Sequence, residues 1–147
     1  MSEIQKQVKF RLIGIEILDK HYKNPIIPDL KFENFQFNIK LEASVNADLK
    51  SINLISNIEI LSENKTIVLA AISINFVYEL INFDEIILIE NNGLLLPDSL
   101  SETLNSLSYS TARGIVFSEF KGTFLQNVIL PIIDPKQLIP TNNDTRR

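Results

Sequence analysis

The chain contains no cysteine. That excludes disulfide frameworks, thiolate zinc sites and thiol nucleophiles together. Histidine occurs once, as His21, within Asp19-Lys20-His21-Tyr22. A lone imidazole there reads as a surface group in a strand-end turn, not as a general base. Glycine occurs four times, scattered, so no Gly-rich loop can cradle a phosphate. No spacing of His, Asp or Glu suits a metal. Asp84-Glu85 reads as the acidic start of a helical turn, in preference to a catalytic carboxylate pair. The expectation is a protein that is not an enzyme and carries no cofactor.

A basic footprint is also lacking. Lys and Arg total 14 against 18 Asp and Glu, a net charge of −4. This argues against nucleic acid and against attraction to an anionic membrane as the partner. Apolar runs such as IVLAAI at 67–72 fall far short of the roughly 20 residues a membrane helix needs, so no membrane insertion is expected. The opening MSEIQKQVKFRLIG has charges spread through it and lacks the continuous apolar centre of a signal peptide, so the expected compartment is cytoplasmic. Asn64-Lys65-Thr66 fits a glycosylation sequon and reads more simply as a turn.

What is present is apolar side chain: 45% of 147 residues, enough for the core of one domain covering 1–147, with tails at about 1–5 and 139–147. Its pattern is strand-like over the first two thirds. In 35–45 the odd positions Phe35, Phe37, Ile39, Leu41, Ala43 and Val45 are apolar and the even ones polar. A period of two marks a half-buried antiparallel strand. Residues 51–61 repeat it with Ile52, Leu54, Ile58 and Ile60. The turns at 46–48 and 62–65 are short, which predicts hairpins.

The first strand changes phase. Val8, Phe10 and Leu12 share one face, and then Ile13, Ile15 and Ile17 take over. Either a one-residue bulge at Gly14 or a strand covered on both faces at one end would produce this. Segment 66–81 sets Val68, Ala70, Ile72, Ile74, Phe76, Tyr78 and Leu80 on one face, and Ile67, Leu69, Ala71, Val77 and Ile81 on the other. A strand apolar on both faces calls for two covers, a helix on one side and a subunit or partner on the other.

A long helix is predicted from Pro97-Asp98-Ser99-Leu100 to about Lys121, some 22 residues or about 33 Å. Ser99 and Glu102 have capping-box spacing, and Gly122 is placed just past the end. Leu100, Leu104, Leu107 and Thr111 form its stripe, broadened by Tyr109, Ala112, Ile115, Val116 and Phe120. Gly114 in mid-helix is either a neutral accident or a point of close approach to another helix or backbone. Residues 83–93 are expected to hold a short helical turn. The fold class is therefore α+β: a four-stranded antiparallel sheet with a long C-terminal helix packed on one face.

Past the helix the chain is unusually apolar, from Phe124 through Val128-Ile129-Leu130-Pro131-Ile132-Ile133. It is either plain core or a surface that binds something apolar. Aromatics such as Phe76, Tyr78, Phe117, Phe120 and Phe124 suit adaptable contact, although each one alone also fits the core.

Several of these stretches together resemble the SecB export-chaperone family. They are Ser108-Tyr109-Ser110-Thr111-Ala112-Arg113-Gly114, Lys121-Gly122-Thr123-Phe124 and Val128-Ile129-Leu130-Pro131, with LIGIEILDKHYKNPIIP at 12–28 and Phe76-Val77-Tyr78-Glu79-Leu80 upstream. The resemblance covers roughly residues 8–138. It implies a homotetramer, a dimer of dimers with the helices between the sheets, for which Leu107, Thr111 and Gly114 are the interface candidates. It also implies an ATP-independent holdase for non-native polypeptides, with Phe76, Tyr78, Phe124 and Ile129 as peptide-binding candidates. Asp19 matches an acidic position that docks the translocation motor SecA. Two other docking positions depart from the pattern, near Lys23 and at Ala71, and residues 133–147 (IDPKQLIPTNNDTRR) show neither the family's second helix nor its acidic tail. These departures motivate an alternative: a dedicated single-partner chaperone, such as one serving a toxin–antitoxin system.

Overall fold

A computed structural model describes residues 7–23, 34–90 and 93–138. The expected tails at 1–5 and 139–147, and the prolines of the first turn, lie outside the described residues. Strands β1 (Phe10–Tyr22), β2 (Gln36–Asn46), β3 (Ser51–Leu61) and β4 (Val68–Leu80) come first. A short helix α1 (Phe83–Ile86) and a small hairpin of β5 (Leu88–Glu90) and β6 (Gly93–Leu95) follow. The long helix α2 (Asp98–Glu119) and a 3₁₀ turn at Pro135–Leu138 complete the chain. The main sheet is antiparallel in the order β1-β4-β3-β2, which leaves β1 and β2 as its edges.

The hairpins form where the patterns place them. Asn64 knots the second one: its Oδ1 accepts from Ser62 Oγ, Thr66 N and Thr66 Oγ1 at 2.7, 3.2 and 2.6 Å. The sequon asparagine is thus a turn residue. The period-two faces pack as read. Ile52, Leu54, Ile58 and Ile60 of β3 and Ile72, Ile74, Phe76 and Tyr78 of β4 are buried beneath α2. The buried side of α2 is Leu100, Leu104, Ser108, Ala112 and Val116, flanked by Asn105 and Tyr109. Full burial of a side chain such as Leu104 removes enough apolar area to contribute roughly 1.5–3 kcal/mol.

The phase change in β1 is a register shift between Leu12 and Gly14, as a bulge requires. A second shift lies between Ile17 and Asp19. Leu18 extends an apolar run, which hides this slip in the sequence. The strand also continues through His21 to Tyr22, so the expected turn at Asp19-Lys20-His21-Tyr22 is strand instead.

Three expectations need correcting. First, the far face of β4 is mixed: Ala71 and Val77 share it with Ser73, Asn75 and Glu79. Ser73 Oγ donates to Asn57 Oδ1 at 2.6 Å, and Asn75 Nδ2 donates to Asn53 Oδ1 at 3.4 Å. Arg11 meets Glu79 on the neighbouring pair. Such a mixed face does not by itself demand a second apolar cover. Second, the capping box does not form: Pro97 stands at the N-cap without a side-chain bond, and Ser99 lies inside the helix. Third, Leu107 is not on the buried stripe of α2. It is 45% exposed, and Ser108 takes the inward place. Gly122 does end the helix region, in the left-handed conformation at φ +82°.

Candidate functional site

The chain after Gly122 is built to lie against α2 and face β2. Thr123 Oγ1 donates to the Phe120 carbonyl at 2.7 Å and accepts from Leu125 N at 3.1 Å, which fixes the turn. From there the side chains alternate. Leu125, Val128 and Leu130 are buried, whereas Ile129 and Ile132 are 67% and 85% exposed. Such alternation without a ladder partner calls for another anchor for the backbone. Helix α2 supplies it. Arg113 Nε donates to the Leu130 carbonyl at 3.1 Å, and the Tyr109 hydroxyl donates to the Pro131 carbonyl. Burial pushes the Tyr109 phenol up to about 12, against the opposing pull of the Arg113 charge, so it remains a donor at neutral pH.

Between this segment and β2 lies a trough. One part, of about 590 Å³, is bounded by Phe35, Phe37, Glu63, Val128 and Ile129. The next, of about 470 Å³, is bounded by Phe37, Ile39, Pro131, Ile133 and Gln137. Both parts share Gln36 and Phe37, so they run end to end along β2. From Asn34 to Ile39 this is roughly 17 Å of strand at about 3.3 Å per residue. Among the described residues β2 is an edge strand that pairs with β3 alone. An extended chain laid there could bond to the strand edge while its side chains meet Phe37, Ile129 and Ile133.

A second apolar surface lies at the opposite edge of the sheet. Leu12, Ile15, Ile17 and Tyr22 of β1 pair with core-face residues of β4, yet they are 40–47% exposed because α2 lies chiefly over β3 and β4. Ile13 and Leu18, the extra residues at the two register shifts, add to the surface at 52% and 48%. Beside them the outward stripe of α2 carries Leu107, Gly114 and Phe117, with Lys121 Nζ over the Phe117 ring at 5.3 Å. Lys20 Nζ binds Glu119 at 2.9 Å, and Tyr22 meets Phe120 edge-on, tying strand to helix.

These positions sort the residues expected from sequence. Ile129 lines the trough. Phe124 is half-buried against the core. Phe76 and Tyr78, expected to bind peptide, are instead core residues at 0% and 2% exposure. They lie on the face beneath α2, and the Tyr78 hydroxyl is bonded to Ser108 Oγ at 2.7 Å. No peptide reaches them in this arrangement. Leu107 and Gly114 lie on the outward stripe of α2, and a Cβ at Gly114 would meet nothing within 4 Å in this chain. Thr111 is half-buried and returns its hydroxyl to the Leu107 carbonyl at 2.8 Å. Asp19 is exposed, 3.2 Å from His21 Nδ1. Sequence reasoning missed the anchoring roles of Tyr109 and Arg113. Their i, i+4 spacing was a signal, but the acceptors are main-chain carbonyls, which no sequence pattern displays.

No family profile matches the chain. No curated protein matches its sequence. Among solved structures, it is similar to the Mycobacterium tuberculosis SecB-like chaperone Rv1957, determined in complex with a ChAD peptide from the HigA1 antitoxin Rv1956. The identity is 12%, the TM-score 0.56, and the match covers 85% of this chain and 86% of that one. A Streptococcus agalactiae protein of unknown function aligns at 12% identity and TM-score 0.40, over 86% of this chain and 99% of that one. The first likeness establishes a SecB-like fold.

Proposed function

We propose that this protein is an ATP-independent chaperone that holds non-native polypeptide in the trough between β2 and residues 127–133. The observation that carries this reading is the sheet's edge strand β2, which among the described residues pairs with β3 alone, set beside a wall whose Ile129 and Ile132 stand in solvent. Main-chain bonding to β2 would be indifferent to client sequence, and burial of alternate apolar side chains would favour extended, unfolded segments. The SecB-like neighbour, bound to a peptide, supports the same reading.

The exposed strip of β1 and the outward stripe of α2 are proposed to join copies of the chain into a homotetramer. The cytoplasm is the compartment consistent with this role, and no catalysis is required of it. Docking of the translocation motor is not part of the proposed role. Asp19 is exposed beside His21, and the register partner of His21 is Ala71, so of the three docking positions only Asp19 carries acidic charge.

A second reading is a chaperone dedicated to one partner. It is favoured by the bound peptide of the neighbour, which comes from an antitoxin, and by the departures near Lys23 and at Ala71. The test is suppression of aggregation of a thermally unfolded client. Suppression across unrelated clients supports the general holdase. Suppression confined to one co-purifying partner supports the dedicated form. No suppression at several-fold molar excess contradicts both.

A further inference from the structure

The two walls of the trough pose a problem for each other. One is the edge strand β2, which among the described residues pairs with β3 alone. The other, Val128-Ile129-Leu130-Pro131-Ile132-Ile133, has no regular secondary structure of its own, is rich in β-branched residues and lies close by. Open edges recruit any strand within reach. If this segment paired with β2 as a fifth strand, it would fill the trough and leave no place for a client.

The contacts of α2 oppose that outcome. The Leu130 and Pro131 carbonyls, central to the segment, are taken by Arg113 Nε and the Tyr109 hydroxyl. Proline has no N–H to offer a ladder. Two successive residues therefore have their acceptors committed to the helix, and one of them has no donor. Buried Val128 and Leu130 hold the same stretch down from below. We infer that Tyr109 and Arg113 form a latch that holds the 128–133 wall on α2 and off the β2 edge, keeping the client trough open. They are positioning residues; neither needs to touch the client. The inference rests on the proposed chaperone reading for its consequence, though not for its geometry.

The test uses Tyr109→Phe, Arg113→Gln and the double variant of the full chain, with Arg113→Lys as the conservative control. Two quantities are read. One is hydrogen exchange of the amides in 128–134 and in β2. The other is affinity for a short fluorescein-labelled peptide alternating Leu with Thr and Lys. Each lost bond is expected to weaken peptide binding about fivefold, the size of one ordinary hydrogen bond. Exchange in 128–134 is expected to change while the melting temperature moves by only a few degrees. Arg113→Lys, which can still donate to the carbonyl, is expected to retain most of the binding. Wild-type exchange and wild-type peptide affinity in the double variant overturn the latch. If the double variant fails to fold, Tyr109→Phe, which removes a single oxygen, decides the question by the same two readings. If the wild-type protein binds no peptide, the chaperone reading fails, and exchange along the wall still decides whether the latch exists.

Discussion

The Tyr78 hydroxyl and Ser108 Oγ meet at 2.7 Å in the buried layer between sheet and helix. The bond joins β4 to α2, and both residues are buried. Tyr78→Phe leaves the serine hydroxyl without its partner and is expected to cost about 1–3 kcal/mol. Ser108→Ala should cost a similar amount. The double variant should cost less than the two singles combined, because it leaves no orphaned group. Urea unfolding of the four proteins checks this, and strict additivity would show the bond to be unimportant.

Phe76 and Ile129 separate core from trough. Phe76→Ala opens a cavity beneath α2 and is expected to cost about 3–5 kcal/mol. Ile129→Ser, at an exposed position, should change stability by no more than about 0.5 kcal/mol. Peptide affinity should respond in the opposite order among folded protein: Ile129→Ser weakens it, whereas Phe76→Leu, which keeps the core filled, does not. Equal affinity for wild type and Ile129→Ser would remove Ile129 from the site.

Alkaline stability should report Tyr109. Burial raises its pKa from the ordinary 10.0 to about 12, so the native state holds a proton that the unfolded chain releases. The associated stability is complete below pH about 10 and is lost as pH rises toward about 12. Tyr78 is shifted in the same direction, chiefly by burial. Tyr109→Phe should therefore shallow the alkaline decline without abolishing it. The check is the denaturation midpoint measured across that range, and an unchanged slope would contradict the assignment.

Assembly should depend on the uncovered edge. Phe117→Asp on α2 and Ile15→Asp on β1 put charge on surfaces that are 43% and 47% exposed in the single chain. Neither should unfold the protomer. Both are expected to lower the native mass from about four times 16.8 kDa to smaller species. Gly114→Leu should do the same, since its side chain meets open space within the protomer and matters only if a second copy approaches. A wild-type protein that is monomeric in native mass spectrometry would contradict the tetramer.

Much of this fold was legible because its strongest signals are periodic. The alternation in β2 and β3 and the terminal Gly122 depend on local chemistry, and the structure follows them. The Gly14 bulge was one of two readings of the same phase change. What failed to show depended on partners distant in the chain. Nothing local distinguishes Phe76 in a core from Phe76 in a groove; the difference is the helix laid over it some thirty residues later. The far face of β4 was misjudged because Ile67 and Ile81, at its ends, weighed more in the pattern than Ser73 and Asn75 between them. The trough itself was partly visible: Ile129 was placed in it, whereas the Arg113 and Tyr109 anchors required the carbonyl positions of Leu130 and Pro131.

The central claim is that polypeptide binds between β2 and the 127–133 wall. Hydrogen exchange with and without a saturating, permanently unfolded polypeptide tests it most directly. The account predicts new protection at outward amides of β2 around 36–39 and at 129–133, with the buried strands β3 and β4 unchanged. Protection located elsewhere, or none at concentrations that suppress aggregation, would contradict it.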